Sequence, residues 1–403
     1  MRVVVCGAGI AGLTLANRLS ELGADVVVLE RSPGPRLEGY MIDFFGPGYD
    51  TAEAMGLLPA IKDVAYPITE GTLVDDRGRR RAGVRPSQVT DGPLLDVMRP
   101  DLERILRENL PQMVDLRFGT SPVAVADHGD VVRVTLDDET QLDADLVVGA
   151  DGLHSAIRRM VFGEESKFMR YLGFHTAAFT FTNPDIHAAV KGRFCLTDSV
   201  DRQVGLYALR DGRVAVFAVH RTNDPTLPDD PRAAVREAYR GLKWLVPQVL
   251  AACPPADEMY YDQVAQIVMP RWSKGRVALV GDACYAVSLM AGQGASLGMA
   301  GAYVLADELA STPTVEGALS GYERLWRPVA EDKQEVGRSG ARWFLPASSW
   351  QLFLRRVVLR GAQLPFVDRL IASTVVGKSS TVIVDLHRGR NLRHAASQRE
   401  IIR

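Results

Sequence analysis

Cysteine is scarce in this chain: Cys6, Cys195, Cys253 and Cys284 are the only four among 403 residues, and no two form a CxxC motif. A disulfide framework or a cysteine-built zinc site is therefore not expected, and free buried thiols in a reducing, cytoplasmic setting are. The seven histidines are scattered and include no HExxH, so no metal site is expected either. Neither sign of charge dominates. Against 47 Lys and Arg stand 49 Asp and Glu, a net charge of −2, which gives no electrostatic reason to expect nucleic acid or an anionic membrane as partner. No apolar run spans a bilayer, since the most apolar region, 277–305, is broken by Asp282, Gln293 and several glycines. The first strand begins at Arg2, which leaves no signal peptide ahead of it.

What is present reads as an α/β protein. The apolar fraction of 47% is ordinary for a globular chain, and this length predicts two interleaved domains. Residues 2–6 read as a buried parallel strand, 10–22 as a helix and 25–29 as the next strand, a βαβ unit of about thirty residues. Pro100 opens a helix over 100–109. Residues 71–85 read as a hairpin, 174–221 as antiparallel strands alternating with period two, 222–233 as a loop, 277–280 as a further parallel strand and 295–310 as a helix. The expected architecture is a Rossmann-like FAD-binding domain over 1–167 and 267–342 and an inserted antiparallel-sheet substrate domain over 168–266. The 65–90 hairpin is expected to join the substrate sheet, and a helical tail covers 343–403. In that tail, Trp343, Phe344, Trp350 and Phe353 are expected to pack against the chain's own domains.

Three segments carry chemistry. Gly7-Ala8-Gly9-Ile10-Ala11-Gly12 is a GxGxxG between strand and helix. Gly7 permits the tight turn, Gly9 lets backbone approach a pyrophosphate, and Gly12 allows helix and strand to pack closely. Glu30 ends the second strand, where a carboxylate accepts the hydroxyls of an adenosine ribose. An acid there argues against a 2′-phosphate, so this site suits FAD or NAD rather than NADP. The second segment runs from Gly149 to Arg158 and contains Asp151-Gly152. His154 inside it reads as a helix-start residue rather than an acid or base. The third is Gly281-Asp282, followed by Gly292-Gln293-Gly294 opening a helix.

These three segments, in this order, resemble the class A flavoprotein monooxygenases, a family that includes para-hydroxybenzoate hydroxylases and tetracycline-inactivating monooxygenases. The resemblance covers roughly residues 1–340. It implies that Gly7, Gly9, Ala11, Gly12 and Glu30 hold the pyrophosphate and ribose of FAD, with Arg31 flanking the adenosine. It implies that Arg99 holds the flavin side and that Asp151 and Gly152 serve FAD and nicotinamide. Gly281 and Asp282 would meet the ribityl chain, and Gly292, Gly294, Ala295 and Ser296 would form the turn beside the isoalloxazine. Tyr285, Val287 and Leu289 depart from the family's usual His and Pro in the flavin-side loop.

The resemblance further implies a cytoplasmic oxidoreductase that uses FAD, with NAD(P)H as a transient co-substrate, to insert oxygen from O2 into a small molecule. Phe174, Phe179, Phe181, Leu206, Tyr207 and Phe217 on the inserted sheet suit an aromatic or polycyclic substrate, or equally a protein core. The Ala-, Arg-, Val- and Gly-rich composition suits a GC-rich bacterium, and with it secondary metabolism or antibiotic modification. Hydroxylation, epoxidation and Baeyer–Villiger insertion are not distinguished, and no catalytic acid or base is singled out. A flavin-dependent reductase or dehydrogenase, a flavoprotein whose structural FAD supports a non-redox cyclisation or rearrangement, and a ligand-sequestering protein stay open as alternatives.

Overall fold

A computed structural model describes residues 1–35, 39–85, 92–288, 292–361 and 380–388, with the backbone alone at 339–344, 360 and 361. The α/β fold is built on two large sheets. In the first, the strands run in the order Ser273–Lys274, Val277–Leu279, Leu146–Gly149, Arg2–Cys6, Asp25–Glu30 and Asp115–Phe118. All pairings are parallel except that of the short edge strand Ser273–Lys274. Val3, Val4, Val5, Val147 and Val148 are fully buried because both faces are covered, as continuous apolar strands require. Helices Ile10–Glu21 and Gly294–Ser311 pack together on one face. A three-stranded sheet of Pro122–Asp127, Val132–Leu136 and Gln141–Ala144 adds Val132, Val134 and Leu136 to the same core.

Strand order reverses between Arg2–Cys6 and Leu146–Gly149. The loops that leave their carboxyl ends therefore diverge and open a crevice there, the usual ligand position in such sheets.

The second sheet has seven strands, in the order Tyr260–Ile267, Met169–Thr182, Arg213–Arg221, Arg202–Ala208, Phe194–Thr197, Gly71–Val74 and Arg80–Val84. The hairpin of the last two strands joins it by parallel pairing with Phe194–Thr197. Residues 86–90 of the expected hairpin lie outside the described residues. A register shift between Tyr171 and His175, with Gly173 at φ +87°, lets the long strand Met169–Thr182 bend. A two-stranded ribbon, Met41–Phe45 with Leu94–Met98, lies between the large sheets in sequence and pairs antiparallel.

Some local expectations change. The loop after Arg221 stops at Asp230, whose side chain accepts from the Ala233 N–H and starts helix Pro231–Ala238, a cap followed by proline at the first helical position. Helix Val315–Phe344 runs through Pro328 and past the expected tail boundary. In helix Ser349–Gly361, Trp350 and Phe353 stack on each other but are 69% and 53% exposed, contrary to the expected packing. That helix instead docks through Leu352, Arg355 and Arg356. The side chains of Trp343 and Phe344, and residues 362–379 and 389–403 of the tail, lie outside the described residues. No helix among the described residues is long and apolar enough to cross a membrane.

Candidate functional site

The crevice widens into a cavity of about 530 Å3 lined by both large sheets and the ribbon. Gly7 turns the chain out of the first strand at φ +111°, and a Cβ there would lie 2.5 Å from the Ala150 carbonyl oxygen. A Cβ on Gly12 would meet the Gly7 oxygen at 1.9 Å, so Gly12 serves the contact between turn and helix. Gly9 differs: its nearest neighbours would be Glu103 Oε1 at 3.8 Å and Arg99 Nη2 at 3.9 Å, which leaves its surface open to the cavity. Gly9 also caps helix Ile10–Glu21 without a side-chain acceptor, so the first N–H groups and the helix dipole face that opening.

The Glu30 carboxylate accepts from Ala8 N–H and Ser32 N–H, each at 2.9 Å, which fixes it at the end of its strand. Arg99 Nε donates to Glu103 Oε1 at 3.0 Å. Burial opposes the Arg99 charge, but Glu103, Tyr40, Tyr260 and Asp282 outweigh it and hold the guanidinium protonated. Burial raises the Asp282 carboxyl, and Arg99 acts against that rise. Asp151 accepts from Ser155 Oγ at 2.5 Å and Ile157 N–H at 3.0 Å, so it organises the start of helix Ala156–Val161 from the cavity wall. Helix Gly294–Ser311 begins without a side-chain cap, next to Gly292 at φ +64°.

Gly7, Gly9, Ala11, Glu30, Arg31, Arg99, Asp151, Gly152, Gly281, Asp282, Gly292, Gly294 and Ala295 all line this one cavity. Gly12 and Ser296 do not: Ser296 packs against Gly48, where a Cβ would be 2.6 Å from its Cα. Tyr285 is buried with its ring 4.8 Å from Trp272, and Val287 is buried as well, while Leu289 lies outside the described residues.

The wall opposite the glycine turns is aromatic. Tyr40 stands 5.8 Å from Tyr260 and 6.3 Å from Phe217, ring centre to ring centre, and Tyr207 and Phe194 continue the surface. Of the six apolar side chains expected there, Tyr207 and Phe217 reach the cavity. Phe179, Phe181 and Leu206 point to the other face and enter a separate core, and Phe174 packs with Val219, Val264 and Leu345. Strand alternation separates Phe179, Phe181 and Leu206 from Tyr207 and Phe217, whereas Phe174 shares the face of Phe217 and packs farther along the strand.

Sequence reasoning missed several cavity residues. His154 is more than a helix-start residue: Nδ1 lies 3.0 Å from Glu165 Oε1 and Nε2 3.1 Å from Asp262 Oδ1. Behind the cavity wall, fully buried Arg158 donates to the Ala283 and Leu153 carbonyls and to Glu165, tying the second glycine segment to the third. Tyr40, Asp43, Asp96 and Tyr260 also line the cavity. No local motif marks them, because their partners are distant in the chain.

A model of the family described as FAD binding domain matches residues 1–335. A Mycobacterium tuberculosis protein without assigned function is 38% identical over 316 residues, spanning 76% of this chain and 84% of its own. A flavin-dependent monooxygenase from an unknown prokaryotic organism is 30% identical over 375 residues, covering 89% of this chain and 95% of its own. The crystal structure of the tetracycline destructase Tet(55) superposes with a TM-score of 0.79 at 27% identity, covering 94% of this chain and 97% of that one.

Proposed function

Because this chain belongs to the FAD-binding-domain family and is an FAD-dependent monooxygenase, we propose that it uses NAD(P)H and O2 to oxygenate a small aromatic or polycyclic metabolite. The observation that carries this reading is the single cavity that joins three glycine-rich turns of the parallel sheet to an aromatic wall on the second sheet. Bacterial secondary metabolism or antibiotic modification is the proposed setting, in keeping with the tetracycline destructase likeness.

The residues present suit FAD. The open surface at Gly9 and the uncapped start of helix Ile10–Glu21 offer backbone N–H groups and a positive dipole end to the pyrophosphate. Glu30, fixed at the end of its strand by two N–H groups, presents a carboxylate to the ribose hydroxyls, with Arg31 beside the adenosine. Arg99, Gly281 and Asp282 would line the middle of the cofactor, and Asp151 and Gly152 shape the wall there. Gly292, Gly294 and Ala295 bring a second uncapped helix start to the ring, where N–H groups favour negative charge. Bound FAD supplies the two-electron and oxygen chemistry. The chain's own residues bind it, hold a planar substrate against Tyr40, Phe217 and Tyr260, and exclude water. With one GxGxxG present, the nicotinamide binds transiently.

The test is turnover under 18O2 with NADH or NADPH across a panel of aromatic and polycyclic compounds. The expected product carries one labelled oxygen atom. Reduced-nicotinamide consumption that yields only hydrogen peroxide across the panel, with no labelled organic product, would reject this reading for those compounds.

A further inference from the structure

Two glutamines hold the backbone that leads into the turn assigned above to the flavin ring. Gln266 lies on the edge strand Tyr260–Ile267 of the second sheet and Gln334 on helix Val315–Phe344, and both are buried. Gln266 Nε2 donates to the Val287 carbonyl at 3.0 Å and to the Gln334 carbonyl at 2.8 Å. Gln334 Nε2 donates to the Ile267 carbonyl at 2.7 Å and to the Ala286 carbonyl at 3.1 Å. The Ala286 carbonyl also accepts from Ile267 N–H at 3.2 Å. Both N–H bonds of each side-chain amide therefore meet backbone carbonyls. Arg338 Nη1 donates to Gln266 Oε1 at 3.0 Å and completes the network. It joins the second sheet and the long helix to the segment Ala286, Val287 and Ser288, which lines the cavity.

The segment they hold is strained. Ser288 takes φ +85°, a conformation uncommon for any residue but glycine. Its own side chain does not fix it there, because the hydroxyl is buried and makes no hydrogen bond among the described residues. Such a backbone persists only where its surroundings over-determine it. Here those surroundings are the clamped carbonyls of Ala286 and Val287, the two residues before it. Satisfying buried carbonyls would explain the glutamines alone, but not why the strained residue follows directly on the clamp.

We infer that Gln266 and Gln334 are positioning residues for the flavin: by clamping Ala286 and Val287 they hold Ser288 in its left-handed conformation, and so set how the Gly292–Ala295 turn approaches the ring. This rests on the ring placement proposed above and adds the residues that maintain it. N–H groups at the start of helix Gly294–Ser311 favour negative charge, which the ring gains on reduction. A relaxed segment would therefore weaken binding of reduced flavin more than that of oxidised flavin. Gln266 shares its strand with Tyr260, Asp262 and Val264, which line the cavity, so the same clamp also sets the spacing between that wall and the ring.

Gln266→Met and Gln334→Met keep the side-chain length and remove every amide donor. FAD affinity is measured by titrating the apo-protein, and the reduction potential of bound FAD against a reference dye. Each variant should bind FAD about tenfold more weakly, with a potential lower by about 30 mV, the two-electron equivalent of a further tenfold loss for the reduced form. Adding Ser288→Gly should recover most of both losses, because glycine takes a positive φ without the clamp. General loosening of the fold would not be repaired by a glycine. If one methionine variant fails to fold, the other carries the same test. An unchanged affinity or an unchanged potential in the folded variants, or losses that Ser288→Gly leaves in place, would overturn the inference. The monooxygenase reading fails separately, if the unaltered enzyme transfers no label from 18O2 while these shifts in affinity and potential are seen.

Discussion

His154 and Asp262, 108 residues apart in the chain, meet with Nε2 3.1 Å from Oδ1. Asp262 sits on the edge strand Tyr260–Ile267 of the second sheet, and His154 follows the parallel strand Leu146–Gly149. The contact thus joins the two sheets across the floor of the cavity. With Glu165 on the other ring nitrogen, both nitrogens face carboxylates and the imidazolium is favoured.

That arrangement makes stability fall in mild alkali. The bond to Asp262 outweighs burial and, with Glu165, pushes His154 from 6.5 up to about 9. A folded-state value above the unfolded one contributes stability that is fully present below 6.5 and is lost as pH rises through about 9. The ring is 37% exposed, so screening reduces the contribution to about 1–2 kcal/mol. Urea unfolding at pH 6.5 and 9.5 should show this loss, and His154→Gln should flatten it. An equal pH dependence in the variant would refute the assignment.

His220 predicts the opposite limb. Burial, then the neighbouring His175, push it from 6.5 down to about 4, while Nδ1 faces Tyr239 Oη at 3.2 Å. The unfolded chain binds the proton more readily. The stability from this neutral ring is therefore present above 6.5 and disappears as pH falls toward 4, by up to about 3 kcal/mol. His220→Gln should lose part of the acid sensitivity between pH 6.5 and 4 in urea melts. A variant with the parent's acid limb would show that other groups dominate it.

Gly9 and Gly12 of the first turn should separate cofactor loss from fold loss. Gly9→Val adds atoms to open cavity space, since a Cβ there has no neighbour closer than 3.8 Å. Gly12→Val drives a side chain into the Gly7 oxygen at 1.9 Å. We expect Gly9→Val to keep its circular dichroism and melting temperature without FAD while binding FAD at least about tenfold more weakly. Gly12→Val should lose several kcal/mol of stability whether or not FAD is added. Dialysed flavin content together with apo-protein melting curves distinguishes the two, and the reverse pattern would sink the assignment.

Much of this was legible because it is local. Gly7 to Glu30 is a contiguous turn, helix and strand after Arg2–Cys6, and each residue's position follows from its place in that unit. What was not legible depends on pairing. Alternation in Phe179, Phe181, Leu206, Tyr207 and Phe217 showed that each strand has two faces, but not which face a cavity would occupy. Asp43 and Asp96 look unremarkable until the strands carrying them are set in register. His154 resembles any polar residue at a helix start until Asp262 arrives from the other sheet.

A buried carboxylate attaches helix Ser349–Gly361 to the second sheet. Asp198, with a fully buried carboxylate, accepts from Arg355 Nη2 at 2.7 Å and from Arg356 Nε. It follows strand Phe194–Thr197, so this contact pins the helix to the second sheet. Arg355 is 7% exposed, and burial lowers it while Asp198 raises it. Asp198→Ala would leave that buried guanidinium without its carboxylate, a change that typically costs about 3–5 kcal/mol. The helix can escape the cost by undocking, because Trp350 and Phe353 already face outward and, among its described side chains, Leu352 and Arg355 are the buried ones. We therefore expect faster proteolysis between Leu345 and Gly361 in Asp198→Ala, with FAD content unchanged because the cavity turns lie on other elements. Arg356→Ala, which removes the more exposed partner, should have the smaller effect. Equal cleavage rates in the parent and Asp198→Ala would show that the ion pairs do not hold the helix.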